Sequence, residues 1–173
     1  MQVSVTEYNP QWPEMYSAEA EKLAAFWGEG LVAIHHIGST SVPGMAAKPV
    51  IDMLPVVVDL EAVDKHNAAM EELGYQVRGE FGIPGRRFFS RSGQSFPCHV
   101  HTFQQHDCWN IDRHLAVRDY LRAFPAVARE YSELKKHLAF IHHDNRPDYI
   151  SGKEGFVLDL QAAALKWYGG QGT

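Results

Sequence analysis

The feature that most limits what this chain can fold into is a single run, from Leu31 to Val58. Leu31 to Ile37 is rich in β-branched residues and reads as a strand. It breaks at Gly38-Ser39-Thr40-Ser41-Val42-Pro43-Gly44, a loop that extends to Lys48, and resumes as a strongly apolar strand from Pro49 to Val58. Glycine directly after a strand adds no side chain, so backbone amides and the Ser39 and Thr40 hydroxyls can approach a phosphate closely. Lys48 is close by to neutralise phosphate charge, its plain alternative being a solvated surface lysine. Asp52 puts a carboxylate on the second strand. A glycine–serine turn feeding an aspartate strand is the skeleton of a nucleotidyltransferase site: the turn holds a triphosphate, and carboxylates hold a cation that bridges phosphate oxygens. On this reading Gly38, Ser39, Thr40 and Lys48 bind phosphate or nucleotide, and Asp52 is the catalytic, metal-holding carboxylate.

The rest of the chain frames this run. Proline and apolar spacing predict a helix from Pro13 to Trp27, closed by Gly28. Asp59 can cap a helix ending at Leu73, with Gly74 after it. Tyr75 to Arg78 reads as a short strand, and Arg87–Arg91 with Ser95–Phe103 as a hairpin through Ser92-Gly93-Gln94. Helices follow over about Trp109–Phe124, Ala126–Phe140 and Gly152–Tyr168, Pro125 separating the first two. The tail from Gly169 to Thr173 is expected to be mobile. The expected fold class is α/β (α+β): a nucleotidyltransferase-like mixed sheet covered by helices, with a helical C-terminal part at about 108–168. The length, 173 residues, suits a single domain over 1–173.

The run from His36 through Gly38-Ser39-Thr40-Ser41-Val42-Pro43-Gly44 to Lys48-Pro49-Val50-Ile51-Asp52 resembles the signature of the GrpB family, which belongs to the nucleotidyltransferase superfamily. Tyr8-Asn9-Pro10-Gln11-Trp12-Pro13, His99-Val100-His101, Arg113-His114-Leu115-Ala116-Val117-Arg118-Asp119-Tyr120-Leu121 and Gly152-Lys153-Glu154-Gly155-Phe156 match it too. The resemblance covers nearly the whole chain and implies the fold. It implies no settled substrate, since a fold hosts many reactions.

One departure bears on chemistry. Many nucleotidyltransferases carry two carboxylates two residues apart on this strand, pointing to one face. Here the pair is Asp52 and Leu54, followed by Pro55. His99 and His101 alternate about Val100 on an expected strand, so both rings project from one face. With Asp52 they form a two-histidine, one-carboxylate set. Imidazoles suit manganese, iron, zinc or nickel better than magnesium. The cofactor expectation is therefore a divalent cation, Mg2+ or Mn2+, with Zn2+ also open; the plain alternative is a pair of hydrogen-bonded sheet histidines. Three functions stay open: transfer of a nucleotidyl group to a small molecule, a ligand-binding or accessory module without turnover, and a metal-dependent enzyme using Asp52, His99 and His101.

Other residues read as framework. Arg86 and Arg87 look like solvated turn arginines. Arg118 and Arg122 form a basic ridge on one helix face, and Lys135 and Lys153 are later candidates to close over a triphosphate; each alone favours a surface role. Ser39 lacks the Gly-x-Ser-x-Gly elbow of a serine hydrolase, and the turn lacks the Gly-Lys-Ser/Thr ending of a P-loop. A net charge of −5 argues against a general nucleic-acid surface. The expected partner is a small molecule or nucleotide. No leader or membrane span is visible, and the two cysteines read as reduced thiols, so the expected location is cytoplasmic.

Overall fold

The structure is a computed structural model and describes residues 3–93 and 96–170. Gln94 and Ser95 of the expected hairpin, and Gln171 to Thr173 of the tail, lie outside the described residues. The described residues divide into two compact units: a sheet unit within 11–37 and 50–111, and a helical unit of residues 3–10, 38–49 and 112–170.

The sheet unit is built on strands β1 (Leu31–Ile37), β2 (Ile51–Val57), β3 (Gln76–Val77), β4 (Arg86–Arg91) and β5 (Cys98–Gln104), in the order β1-β2-β5-β4-β3. β2 runs antiparallel to β1 and parallel to β5, and β5 is antiparallel to β4. The mixed sheet of the sequence reading is thus present. Pro55 sits in β2 although proline has no amide to donate. It is tolerated because the pairing of β2 with β5 runs over Ile51–Met53 and Val56–Val57 and skips positions 54 and 55.

Helix α1 (Trp12–Trp27) has Pro13 in its first turn and ends at Gly28, whose φ of 54° suits a residue without Cβ. It buries Trp12, Glu19, Leu23 and Trp27, so a carboxylate stands in its apolar stripe. Glu19 accepts from the Arg91 guanidinium at 2.6 Å and from the Tyr75 hydroxyl at 2.7 Å. Arg91 also lies over the Tyr75 ring and donates to the Cys98 thiol at 3.4 Å. Burial opposes the Glu19 charge, but the bonds from Arg91 and Tyr75 outweigh it and lower its pKa. Burial pushes the Cys98 thiol up to about 11, which makes it an inert core thiol.

The helix expected from Asp59 to Leu73 is two short ones, α2 (Leu60–Asp64) and α3 (Asn67–Glu72). They part around His66, whose ring packs against Phe26 at 4.9 Å. Asp59 does cap α2, accepting from the Glu61 amide.

The helical unit contains most of α4 (Cys108–Ala123), α5 (Pro125–Ile141) and α6 (Arg146–Gly169). Val42, Met45, Leu121, Ala128, Tyr131 and Leu160 form its core. α6 starts six residues before the expected Gly152, because the Asn145 side chain accepts from the Asp148 amide and Pro147 preorganises the first turn. Glycine inside a helix costs about 1 kcal/mol. At 152 it serves close packing, since a Cβ there would stand 2.5 Å from Leu138 Cδ2. No helix among the described residues is long and apolar enough to cross a membrane.

Candidate functional site

In the sheet unit, β2 and β5 lie side by side, with Asp52 and His99 as Cα partners. Alternation along β5 returns His101 to the same face. His99 Nδ1 is 3.2 Å and His101 Nε2 3.3 Å from one carboxylate oxygen, Asp52 Oδ1. Burial raises the pKa of Asp52, but the bonds and charge of the two rings more than offset it and hold the group well below the usual carboxylate range. The carboxylate is the ionised partner of the cluster.

Arg86 is buried rather than a solvated turn residue. It stands in β4, donates to the Glu80 and Phe81 carbonyls, lies over the Phe88 ring and reaches His101 Nδ1 at 3.3 Å. A guanidinium can only donate, so His101 Nδ1 accepts and a neutral ring carries its proton on Nε2, toward Asp52. Phe88, the Cα partner of His101, packs on both histidine rings at 5.0 and 5.5 Å. Arg87 pairs with Asp64 at 2.6 Å. Both arginines look like turn residues because Gly85 precedes them, yet the strand begins at Arg86 and its pleat turns that side chain inward.

One oxygen or nitrogen from each of Asp52, His99 and His101 lies within 4.8 Å of the others. That spread fits ligands of one ion, and the nitrogen–oxygen donor set fits manganese or zinc. Ligation through His101 Nε2 would require that ring's proton to move to Nδ1, the nitrogen that faces Arg86, so the Arg86 contact bears directly on how readily His101 can ligate. Leu54 occupies the position two residues beyond Asp52 and is fully buried.

In the helical unit, Gly38 has φ 70° and ψ −175°, a conformation closed to residues with a Cβ. The turn continues as one 3-10 turn, Ser39–Ser41, with the Ser41 hydroxyl donating to the Gly38 carbonyl at 2.6 Å. Ser39 remains half-buried and Thr40 is buried, so Ser39 carries the more accessible of their two hydroxyls. Lys135 of α5 is only 4% exposed and donates to Ser39 Oγ at 2.8 Å and to the Ala46 carbonyl. Burial, reinforced by the charge of Lys153, brings its pKa down to about 7. The ammonium lies over the Tyr131 ring. Arg122 grips the turn through the Ser41 carbonyl at 2.8 and 3.1 Å, whereas Arg118 pairs with its neighbour Asp119. Lys48, half-buried, ends this segment.

Sequence reading names Lys135 as a candidate to close over a triphosphate but favours a surface role for it taken alone, yet a stronger signal existed. Ala128, Tyr131, Ser132, Lys135 and Leu138 are the buried positions of α5, so the lysine lies in the helix's buried stripe.

Three comparisons bear on this arrangement. A family model described as GrpB protein matches residues 2–163. The UPF0157 protein YqkA of Bacillus subtilis is 45% identical over 98% of this chain, and this chain spans about half (49%) of that relative's length. The crystal structure of the conserved protein GrpB from Enterococcus faecalis superposes with a TM-score of 0.92 at 43% identity, covering 95% of this chain and 99% of that one. The Cid1 poly(U) polymerase, in a MgGTP-bound structure, shares the fold at TM-score 0.59 and 14% identity, over 88% of this chain and 50% of its own.

Proposed function

Since the chain belongs to the GrpB family, whose fold here is nucleotidyltransferase-like, we propose that it binds a nucleoside triphosphate or similar phosphorylated ligand together with a divalent cation. The observation that carries this reading is the buried Lys135 ammonium on Ser39 Oγ, at a glycine-led turn directly after a strand. A buried cation with no carboxylate partner among the described residues is costly to keep charged, and a phosphate is the anion that such a turn suits. Gly38 allows the backbone to approach, the Ser39 hydroxyl donates to a phosphate oxygen, and Lys135, Lys153 and Lys48 neutralise its charge.

The cation is assigned to Asp52, assisted by His99 and His101. When bound, such an ion would supply Lewis-acid charge. In nucleotidyl transfer an acceptor oxygen would bond to the α-phosphorus as its bond to the pyrophosphate oxygen breaks, and pyrophosphate would leave with that electron pair. The chain's residues contribute by holding the triphosphate still and neutralising it.

Calorimetric titration with inorganic triphosphate and with ATP tests the phosphate half. Ser39→Ala should weaken both about tenfold, at about 1.5 kcal/mol for one hydrogen bond to a charged group, and Lys153→Met by a similar factor. If neither variant differs from the parent, the turn does not hold phosphate. Gly38→Val is the poorer probe, because a φ of 70° strains any residue with a Cβ.

Equilibrium dialysis of untagged protein against Mn2+ and Zn2+ tests the cation half. Asp52→Asn should abolish binding, and His99→Ala should lower it at least tenfold. Affinity should also fall as pH falls, since an imidazole protonated on both nitrogens cannot ligate. A full complement of ion in Asp52→Asn would refute the assignment.

A second reading rests on Leu54. Its apolar side chain stands fully buried two residues beyond Asp52, where a second carboxylate would otherwise hold a second ion. That favours a nucleotide-binding module without turnover. Pyrophosphate release from bound ATP across a panel of small-molecule acceptors separates the readings: release supports transfer, and tight binding without release supports the module.

A further inference from the structure

The helical unit contains a cavity of about 660 Å³ that the proposed function does not use. It opens between the Val42–Gly44 segment, the end of α4 and the first turns of α5. Its volume is in the ordinary range for small-molecule sites. Val42, Leu121 and Ala128, all buried core residues, supply apolar lining. Arg122 and Arg129 supply its charge, and no carboxylate is among the described lining residues. The whole chain carries a net charge of −5, so a recess whose described lining has two guanidinium groups and no carboxylate is a local reversal of sign, moderated by Asp119 beside Arg122.

The Arg122 guanidinium is held in place rather than free to swing. Nε and Nη2 donate to the Ser41 carbonyl, and Nη1 forms a longer ion pair with Asp119 Oδ1 at 3.8 Å, outside the recess lining. Partial desolvation, and then the charge of Arg118, lower its pKa, while Asp119 and Tyr8 act the other way. Arg129 lies one turn into α5 and is exposed. An apolar recess with guanidinium groups and no acid suits one kind of occupant.

We propose that this cavity binds a small organic anion, its apolar body against Val42, Leu121 and Ala128 and its carboxylate or phosphate head at Arg122 and Arg129. The inference is independent of the triphosphate reading, because it draws on neither Ser39 nor Lys135.

The test is calorimetric titration of the full chain with octanoate, octyl phosphate and octan-1-ol, in the presence of saturating inorganic triphosphate to block the turn. At least one anion should bind at least tenfold more tightly than octanol, and the better of the two identifies the preferred head. Arg129→Gln, an exposed position that leaves the core intact, should weaken that anion at least tenfold and leave octanol unchanged. Ala128→Phe should fill the recess and weaken all three ligands, its thermal unfolding curve showing whether it is folded. Octanol binding as tightly as both anions, or an Arg129→Gln variant that matches the parent, overturns the proposal. So does a variant of Ala128 that folds and binds the anion undiminished.

Discussion

Replacing Lys135 with methionine is expected to abolish triphosphate binding while making the folded chain more stable. The side chain is 4% exposed and its pKa is lowered to about 7 from 10.5. A depression of that size corresponds to a cost of up to about 5 kcal/mol for folding at neutral pH, at about 1.4 kcal/mol per unit. Methionine has nearly the same length and removes that cost. It also loses the bonds to Ser39 Oγ and the Ala46 carbonyl, at about 1 kcal/mol each with some added penalty for the carbonyl. A net gain of about 2 kcal/mol remains.

The sign with pH is fixed by linkage. Between pH 7 and pH 10.5 the unfolded chain binds more protons at this position than the folded one, so parent stability rises with pH through that window. Below pH 7 the contribution is flat. Urea denaturation at pH 7 and pH 9.5 should show this rise in the parent and lose this component in Lys135→Met. Triphosphate affinity runs the other way, since it needs the ammonium: it should be constant below pH 7 and weaken by up to tenfold per unit above it. A variant that binds triphosphate normally would remove Lys135 from the site, and one that is markedly less stable would make it a structural lysine.

The second large effect concerns Arg91. Arg91→Met should destabilise the chain by about 3–5 kcal/mol, because it leaves the Glu19 charge buried at 1% exposure with its main partner gone. The double variant Glu19→Met, Arg91→Met should recover most of that loss, since apolar pairs of similar volume replace buried ion pairs at little net cost. Glu19 has a lowered pKa in the folded state. Its contribution is therefore present above the unfolded pKa and is lost as pH falls through the folded one. Guanidinium denaturation of the parent, both single variants and the double gives the coupling energy directly. Additive losses in the double variant would show that the two residues stabilise the fold separately.

The legible parts of this molecule were those carried by local pattern. Alternation about Val100 puts His99 and His101 on one face, and the strand–turn–strand order puts Asp52 on the strand after the turn; that this strand pairs with β5 is a contact across 47 residues that the order alone does not give. β1 is read to the residue, and α4 and α5 to within one residue at each end. What escaped depends on partners far along the chain. Lys135 meets Ser39 across 96 residues, and Glu19 meets Arg91 across 72, so neither pairing has a local trace. Each nonetheless left a mark, a charge inside an apolar helical stripe. Arg86 left none, because a strand that begins at a glycine-led turn looks like the turn itself. The start of α6 was hidden by Gly152 and Gly155, which resemble a boundary when the contact with Leu138 is unknown.

β5 is the last strand to be made and lies in the middle of the sheet, inserted between β2 and β4. During synthesis Asp52 therefore exists for 46 residues before His99 is added, and β2 has only the β1 hairpin for company. A parallel pairing of such separation closes slowly, because the intervening chain must be ordered before any contact rewards it. The Asp52–His99–His101 cluster cannot assemble on a nascent chain that stops short of β5, nor on a fragment cut before Cys98. Until that insertion, the apolar edge of β2 is open to pairing with other chains. The same strand that completes the cluster thus also ends the interval in which the newborn chain is most prone to aggregate.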